Sequence, residues 1–315
     1  MKLKKANNQA PLKIGLPRAL LYYRYSEFYK SFFELLGFSV VLSPKTNREI
    51  LEKGISLSVD ESCLSSKIYL GHVDWLIDKC DFIFVPRIAN FGFEEKLCTK
   101  FYGIYDIVAN TFSKIKDKLL DINIDYINGK KESAAFLSLA KNLGVSKKNA
   151  IAAFTIAKEK EEHVKRACRE KAIKQLESCK TKVFLVSHVY NTYDDFVAVP
   201  IISNLKSQGV EVIIASDFYG EDIKNLYSRY SPSLYWTYNK ELLGALSFSE
   251  DRVDGIVIAT AFPCGPDSMV NEILLRRQKK VHMINLSLDE LSFGVGLETR
   301  LEAFVDMLKS IKNNK

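Results

Sequence analysis

The chain carries six cysteines, Cys63, Cys80, Cys98, Cys168, Cys179 and Cys264, and no two of them form a C-x-x-C pair. The spacings of ferredoxins and zinc fingers are therefore absent. Cys264 sits in the stretch Phe262-Pro-Cys-Gly-Pro-Asp-Ser268. The apolar run 254–259 before it reads as a buried strand of a parallel sheet. After it, Met269, Val270, Ile273 and Leu274 recur at helical spacing. Cys264 thus occupies a strand-to-helix turn, the edge on which open α/β sheets present ligands. Cys63 follows Asp60-Glu61-Ser62 at a second strand-to-helix turn, and Cys98 lies in a long loop over 87–103. Positive partial charge at a helix N-terminus favours thiolate, the form that binds metal. Two readings stand side by side: Cys63, Cys98 and Cys264 share one metal site, or they are three separate buried thiols. Cys80 enters an apolar strand, which packing explains. Cys168 and Cys179 fall on a charged helical stretch, three turns and about 16 Å apart, too far for one metal.

The elements that must position these thiols alternate in an α/β pattern. Strands are expected over 12–16, 38–42, 57–60 and 81–85, and again over 183–187, 210–215, 234–236, 256–259 and 281–285. Helices are expected over 17–36, 46–52, 63–79 and 103–120, then near 195–206, 221–230, 240–248, 268–278 and 297–312. Between them, 121–182 is highly charged and reads as helical. The fold class expected is α/β, with two Rossmann-like domains, each a doubly wound, mostly parallel sheet. The N-terminal one covers 1–120, a charged helical connector 121–180, and the C-terminal one 181–315.

Composition narrows the function. The chain has 315 residues, 47% hydrophobic and 26% charged, with net charge +7. That is an ordinary globular composition. Its lysines are scattered without an Arg/aromatic stripe, so nucleic acid is not an expected partner. No apolar run is long enough to span a bilayer. Residues 1–5 are basic but lead into no apolar stretch, so no signal peptide is expected and the compartment expected is the cytoplasm. The thiols should then be reduced. Neither a P-loop nor a G-x-G-x-x-G after the first strand is present, so the chain is not expected to be an ATPase or to bind a dinucleotide. Arg18 and Arg87 follow expected strands and could each pair with a phosphate or carboxylate, or hold loops together. Ser268 lies beside Cys264 on the same edge. Asp267, Asp289 and Glu290 are read as capping helices or binding basic loops. His72, nine residues after Cys63, lies on the opposite helical face and reads as a structural hydrogen-bonding group.

Three stretches carry a family resemblance. The first is Ile14-Gly-Leu-Pro-Arg-Ala-Leu-Leu-Tyr-Tyr23 with Val59-Asp-Glu-Ser-Cys63 and Gly71-His72. The second is Phe84-Val-Pro-Arg-Ile88 with Cys98-Thr-Lys-Phe101, and the third is 262–268 with Asn285-Leu-Ser-Leu-Asp-Glu290. Ser187-His-Val-Tyr-Asn-Thr-Tyr-Asp194 matches more weakly. Together they resemble the acyl-CoA dehydratase activase-related proteins, kin to subunits of 2-hydroxyacyl-CoA dehydratases and benzoyl-CoA reductase. The resemblance implies a 4Fe–4S cluster held by Cys63, Cys98 and Cys264 in the cleft between the two domains, with one iron open to water or substrate. Arg18, Arg87 and Ser268 would stand near it or near substrate. It implies a partner ATPase, the activase, with its own iron–sulfur cluster, low-potential electron transfer and an acyl-CoA or other small substrate. Whether the chain is itself a reductase or dehydratase component stays open. The alternatives are a non-catalytic electron-transfer or cluster-holding accessory protein, and a metal-free or structural-metal scaffold. Oligomeric state stays open, a dimer included.

Overall fold

The computed structural model describes residues 10–292 and 295–314. The reading of residues 1–5 lies outside the described residues. The chain forms two compact units, Met1–Asp60 with Ser66–Val164, and Glu61–Ser65 with Lys165–Lys315. The boundary between the units thus falls within the stretch 121–180, between Val164 and Lys165.

The first unit holds β1 (Lys13–Leu16), α1 (Tyr22–Leu35), β2 (Ser39–Leu42), α2 (Arg48–Ser56) and most of α3 (Leu64–Leu76). It continues with β3 (Phe82–Phe84), β4 (Arg87–Asn90), α4 (Thr99–Thr111), β5 (Leu119–Leu120), β6 (Asn123–Asp125) and α5 (Glu132–Asn142). Its main sheet has the order β2-β1-β3-β5, all pairs parallel, and β4 pairs with β6 in a small second sheet. The helix expected from residue 17 begins only at Tyr22, because Leu20 takes a left-handed φ of 49° and turns the chain first. Gly37 ends α1 as its type predicts. At φ 87° it lets its own N–H reach the Glu34 carbonyl and the Phe38 N–H reach the Phe33 carbonyl, so the last carbonyls are satisfied. The aromatic residues of α1 are core: Phe28 and Phe32 meet Phe136 at 4.8 and 4.9 Å, and Phe33 meets Phe84 at 5.2 Å. α2 and α3 pack backbone to backbone. A Cβ on Gly71 would stand 2.0 Å from the Ile50 carbonyl oxygen, so only glycine fits there.

No strand forms over 57–60; those residues make turns. Their apolar content is short, and Val59 is 67% exposed, so no sheet edge captures them. Residues 87–103, expected as a loop, contain β4 and the start of α4.

A 29-residue helix, α6 (Lys147–Gln175), spans the chain position at which the second unit begins. That unit adds β7 (Lys182–Val186), α7 (Val189–Thr192), α8 (Val199–Ser207), β8 (Glu211–Ile214) and α9 (Glu221–Lys224). It ends with α10 (Thr237–Ser249), β9 (Gly255–Ala261), α11 (Gly265–Arg277), β10 (His282–Leu288) and α12 (Val295–Asn313). The sheet order is β10-β9-β7-β8, again all parallel. β9 is buried at all seven positions, as an apolar central strand requires. Residues 234–236 form no strand; Trp236 caps α10 instead. Cys179 lies beyond the end of α6, so it does not share a helix face with Cys168. Mixed α/β architecture with parallel, Rossmann-like sheets is therefore the fold of both units.

Candidate functional site

In the second unit β7 is the first strand in sequence, with β8 on one side and β9 on the other. Successive crossovers therefore leave β7 and β9 toward opposite faces, which opens a crevice at their carboxyl ends. The chain leaves β7 through Ser187 and His188 and leaves β9 through Phe262, Pro263 and Cys264. A buried polar network fills this crevice. His188 Nε2 lies 2.7 Å from Asp267 Oδ1, and Asn239 Nδ2 donates to the same oxygen at 3.0 Å. The Cys264 thiol donates to Asp267 as well. Burial pushes the Asp267 carboxyl up, but the charge of His188 and the hydrogen bonds from His188, Asn239 and Cys264 outweigh it and hold the group below the usual range. Asp267 also stands in the first turn of α11, where the helix dipole favours a negative charge. The His188 ring stacks on Tyr190 with centroids 5.0 Å apart. Ser187 Oγ donates to the Ala259 carbonyl at 2.7 Å and ties the β7 exit to β9.

Cys63 belongs to this unit and not to the N-terminal one. The segment Glu61–Ser65 is part of it, the Leu64 N–H donates to the Phe262 carbonyl at 2.9 Å, and Ser65 Oγ donates to Asn191 Oδ1 at 2.7 Å. Cys63 and Cys264 are thus carried by backbone segments bonded to each other. Asn191, 1% exposed, keeps its Nδ2 without a partner.

Each of the three singled-out cysteines immediately precedes a 13-residue helix: Cys63 before α3, Cys98 before α4 and Cys264 before α11. Cys98, read from sequence as a loop residue, is the N-cap of α4 in the first unit. Among the described residues, no three His, Cys, Asp or Glu side chains gather into a group able to hold a metal ion. The second unit supplies two of the three thiols, Cys63 and Cys264, which by themselves do not complete a three-thiolate site.

Arg87 is engaged within its unit. It forks onto Asp106, with Nη2 to Oδ1 at 2.9 Å, lies 3.3 Å from Asp121 and sits 4.1 Å over the Tyr105 ring. Of the two roles weighed for it, these contacts are those of a loop-holding group. Ser268 donates to the Cys264 carbonyl at 2.8 Å and so braces the turn. Arg18 donates its backbone N–H to Ser43 Oγ at 2.8 Å. Cys80 is buried, its thiol donating to the Leu76 carbonyl at 3.1 Å, and burial pushes it up to about 11, as a packing role requires. Sequence reasoning missed His188, Asn239 and Asn191, and it read Asp267 as a cap or loop partner. The available signal was the polar run 187–194 directly after a strand.

Residues 13–217 match the model of one family, the CoA enzyme activase uncharacterised domain. The chain belongs to this family. No curated protein matches the activase-related chain. A solved structure similar to it is that of a LacI family transcriptional regulator from Arthrobacter sp. FB24 in complex with lactose. The identity is 13%, over 97% of this chain and 91% of that chain, with a TM-score of 0.21. At that score the likeness carries no argument. Among the described residues, no helix is long and apolar enough to cross a membrane.

Proposed function

We propose that this activase-related chain is a cluster-holding component of the 2-hydroxyacyl-CoA dehydratase type, with Cys63, Cys98 and Cys264 as thiolate ligands of a 4Fe–4S cluster. The observation that carries the reading is positional: these three cysteines, unlike Cys80, Cys168 and Cys179, each begin a long helix. Backbone N–H groups there favour thiolate, and hydrogen bonds to cluster sulfur tune its potential. Membership of a CoA enzyme activase family supports a partner enzyme. The partner in this reading is an ATPase that supplies a low-potential electron. A bound cluster would supply one-electron chemistry and an open iron for a small acyl substrate.

The test is anaerobic reconstitution of the full chain with iron and sulfide, followed by metal analysis and visible absorption. About four irons per chain, lost on replacing Cys63, Cys98 or Cys264 by Ser, is the expected result. An iron-free chain, or full cluster absorption in all three variants, overturns the reading. A specific observation favours the rival, a metal-free scaffold: the Cys264 thiol is already bonded to Asp267. In that case iron does not bind, and Cys264→Ser leaves stability near that of the parent.

A further inference from the structure

In the second unit β10 stands at one end of the sheet order, so one of its edges pairs with β9 and the other, among the described residues, pairs with no strand. The Leu288 carbonyl accepts from the Phe262 N–H and so faces β9. Bonding directions alternate along a strand, which turns the N–H and C=O groups of Asn285 and Ser287 to the open edge. A pocket lies where β10 ends and α12 begins. Its lining includes Ser287 of β10, Leu291 after it, and Leu297 and Arg300 of α12. Water can enter about 370 Å³ of it, a volume in the range of small-molecule sites.

The polar groups of this pocket are within reach of a ligand. Arg300 is exposed, and its Nη2 donates to the Asn285 carbonyl at 3.0 Å, which holds the guanidinium beside the strand. That bond uses one of five N–H donors, and among the described residues no other acceptor takes the rest. Ser287 is exposed, and among the described residues its hydroxyl has no hydrogen-bond partner. The other hydroxyl of the lining is engaged: Ser292 Oγ donates to Asp289 Oδ1 at 2.5 Å and accepts from the Asp289 N–H at 2.9 Å. The apolar side is open as well, for Leu291 is 88% exposed and Leu297 is half-buried.

The charges limit what can bind. Arg300 is the one charged residue among the described lining. Asp289 and Glu290 flank it on the β10 side and Glu298 on α12, and the Asp289 carboxylate is turned to the Ser292 hydroxyl and the Leu291 N–H. One cation near three carboxylates does not favour a dianion. A carboxylate carries a single charge and matches the planar guanidinium fork.

We propose that this pocket binds a small monocarboxylate with an aliphatic tail, its carboxylate accepting from Arg300 and the Ser287 hydroxyl and its tail lying against Leu291 and Leu297. A neutral apolar molecule would leave the guanidinium without an acceptor, and a tailless acid would leave Leu291 against water. None of these groups is used in the cluster reading, so the proposal stands or falls without it.

The test is calorimetric titration of the full chain with hexanoate, 1-hexanol and hexyl phosphate. Hexanoate is expected to bind at least about tenfold tighter than 1-hexanol, and hexyl phosphate no tighter than hexanoate. Arg300→Gln keeps a neutral donor and is expected to erase the preference for acid over alcohol. Ser287→Ala is expected to weaken hexanoate about three- to tenfold. Leu291→Ser is expected to weaken hexanoate and 1-hexanol by the same factor. Ser287 and Leu291 are exposed, so the urea midpoints of these two variants should match the parent, and they carry the test if Arg300→Gln unfolds early. Silence with all three probes would mean that the pocket holds only solvent and overturns the proposal. Equal affinity for acid and alcohol, hexyl phosphate binding tenfold tighter than hexanoate, or hexanoate binding unchanged in both Ser287→Ala and Leu291→Ser would overturn it too.

Discussion

Asp217 follows β8 and is 5% exposed, with Tyr193 donating its hydroxyl to Oδ1 at 2.5 Å. Burial raises its carboxyl from 3.8 to about 6, although the Tyr193 hydrogen bond and the charge of Lys171 pull the other way. A folded pKa above the unfolded one means that the native state binds the proton more tightly. Stability is therefore greatest below the unfolded pKa and falls as pH rises through about 6. A shift from 3.8 to about 6 corresponds to about 3 kcal/mol, of which some 2–2.5 kcal/mol is lost between pH 4 and pH 8. Asp217→Asn keeps an acceptor for Tyr193 and removes the buried charge. At pH 8 it should stabilise the second unit by about 1–2 kcal/mol, after about 1 kcal/mol for exchanging a charged acceptor for a neutral one. At pH 4 it should stabilise little or not at all. The chain has two tryptophans, Trp75 and Trp236, so in a Trp75→Phe background Trp236 alone reports urea unfolding of the second unit. A difference between variant and parent that is the same at pH 4 and pH 8 would refute the reasoning, since a charge-independent effect cannot carry a pH slope.

Other perturbations have defined outcomes. Gly71→Ala places a methyl 2.0 Å from the Ile50 carbonyl oxygen, so α2 and α3 must separate; a loss of about 1–3 kcal/mol is expected in urea unfolding followed by Trp75 fluorescence. His188→Ala strips the buried Asp267 of its partner at 2.7 Å and should cost about 1–3 kcal/mol, with Asp267→Asn in the same background recovering part of it. Because Asp267 titrates below its ordinary value, the stability from this pairing is present above the unfolded carboxylate value and is lost as pH falls through the lower folded one; acid titration of the parent and of Asp267→Asn checks the sign. Cys80→Ala, Cys168→Ala and Cys179→Ala should leave the iron content of the reconstituted chain unchanged, measured beside the parent.

The second sheet was legible because its strands advertise themselves. Residues 183–186 and 255–261 are apolar runs bounded by polar or glycine-containing turns, and a fully buried parallel strand needs nothing else. The failures have local causes. Residues 57–60 carry strand-like types, but Val59 finds no sheet to enter. Residues 17–21 look like a helix start, but the left-handed Leu20 delays it. β4 is four residues long and pairs with a three-residue β6, too short for periodicity to register. The position of Cys264 could be read from its turn. The buried partners of Asp267 could not, because His188 and Asn239 lie 79 and 28 residues away in sequence, and only the strand order brings them together. For the same reason the unit that holds Cys63 cannot be read from its place in the chain: five residues, Glu61–Ser65, leave the surrounding unit and join the other.

That five-residue detour bears on how the protein can be taken apart. The chain passes from one unit to the other after Asp60, again after Ser65 and again after Val164, so neither unit is a single continuous piece of polypeptide. A fragment that starts at Lys165 would lack the Leu64 N–H that the Phe262 carbonyl accepts from and the Ser65 hydroxyl that bonds Asn191. It would fold, if at all, with the turn before Cys264 unbraced. A single proteolytic nick near residue 164 would likewise leave two fragments that still share one body, and they should co-migrate until denatured. Gene fusions, truncations and two-hybrid baits built on a boundary near residue 165 would therefore sample a damaged molecule, whereas a circularly permuted chain that keeps 61–65 beside 262 would not.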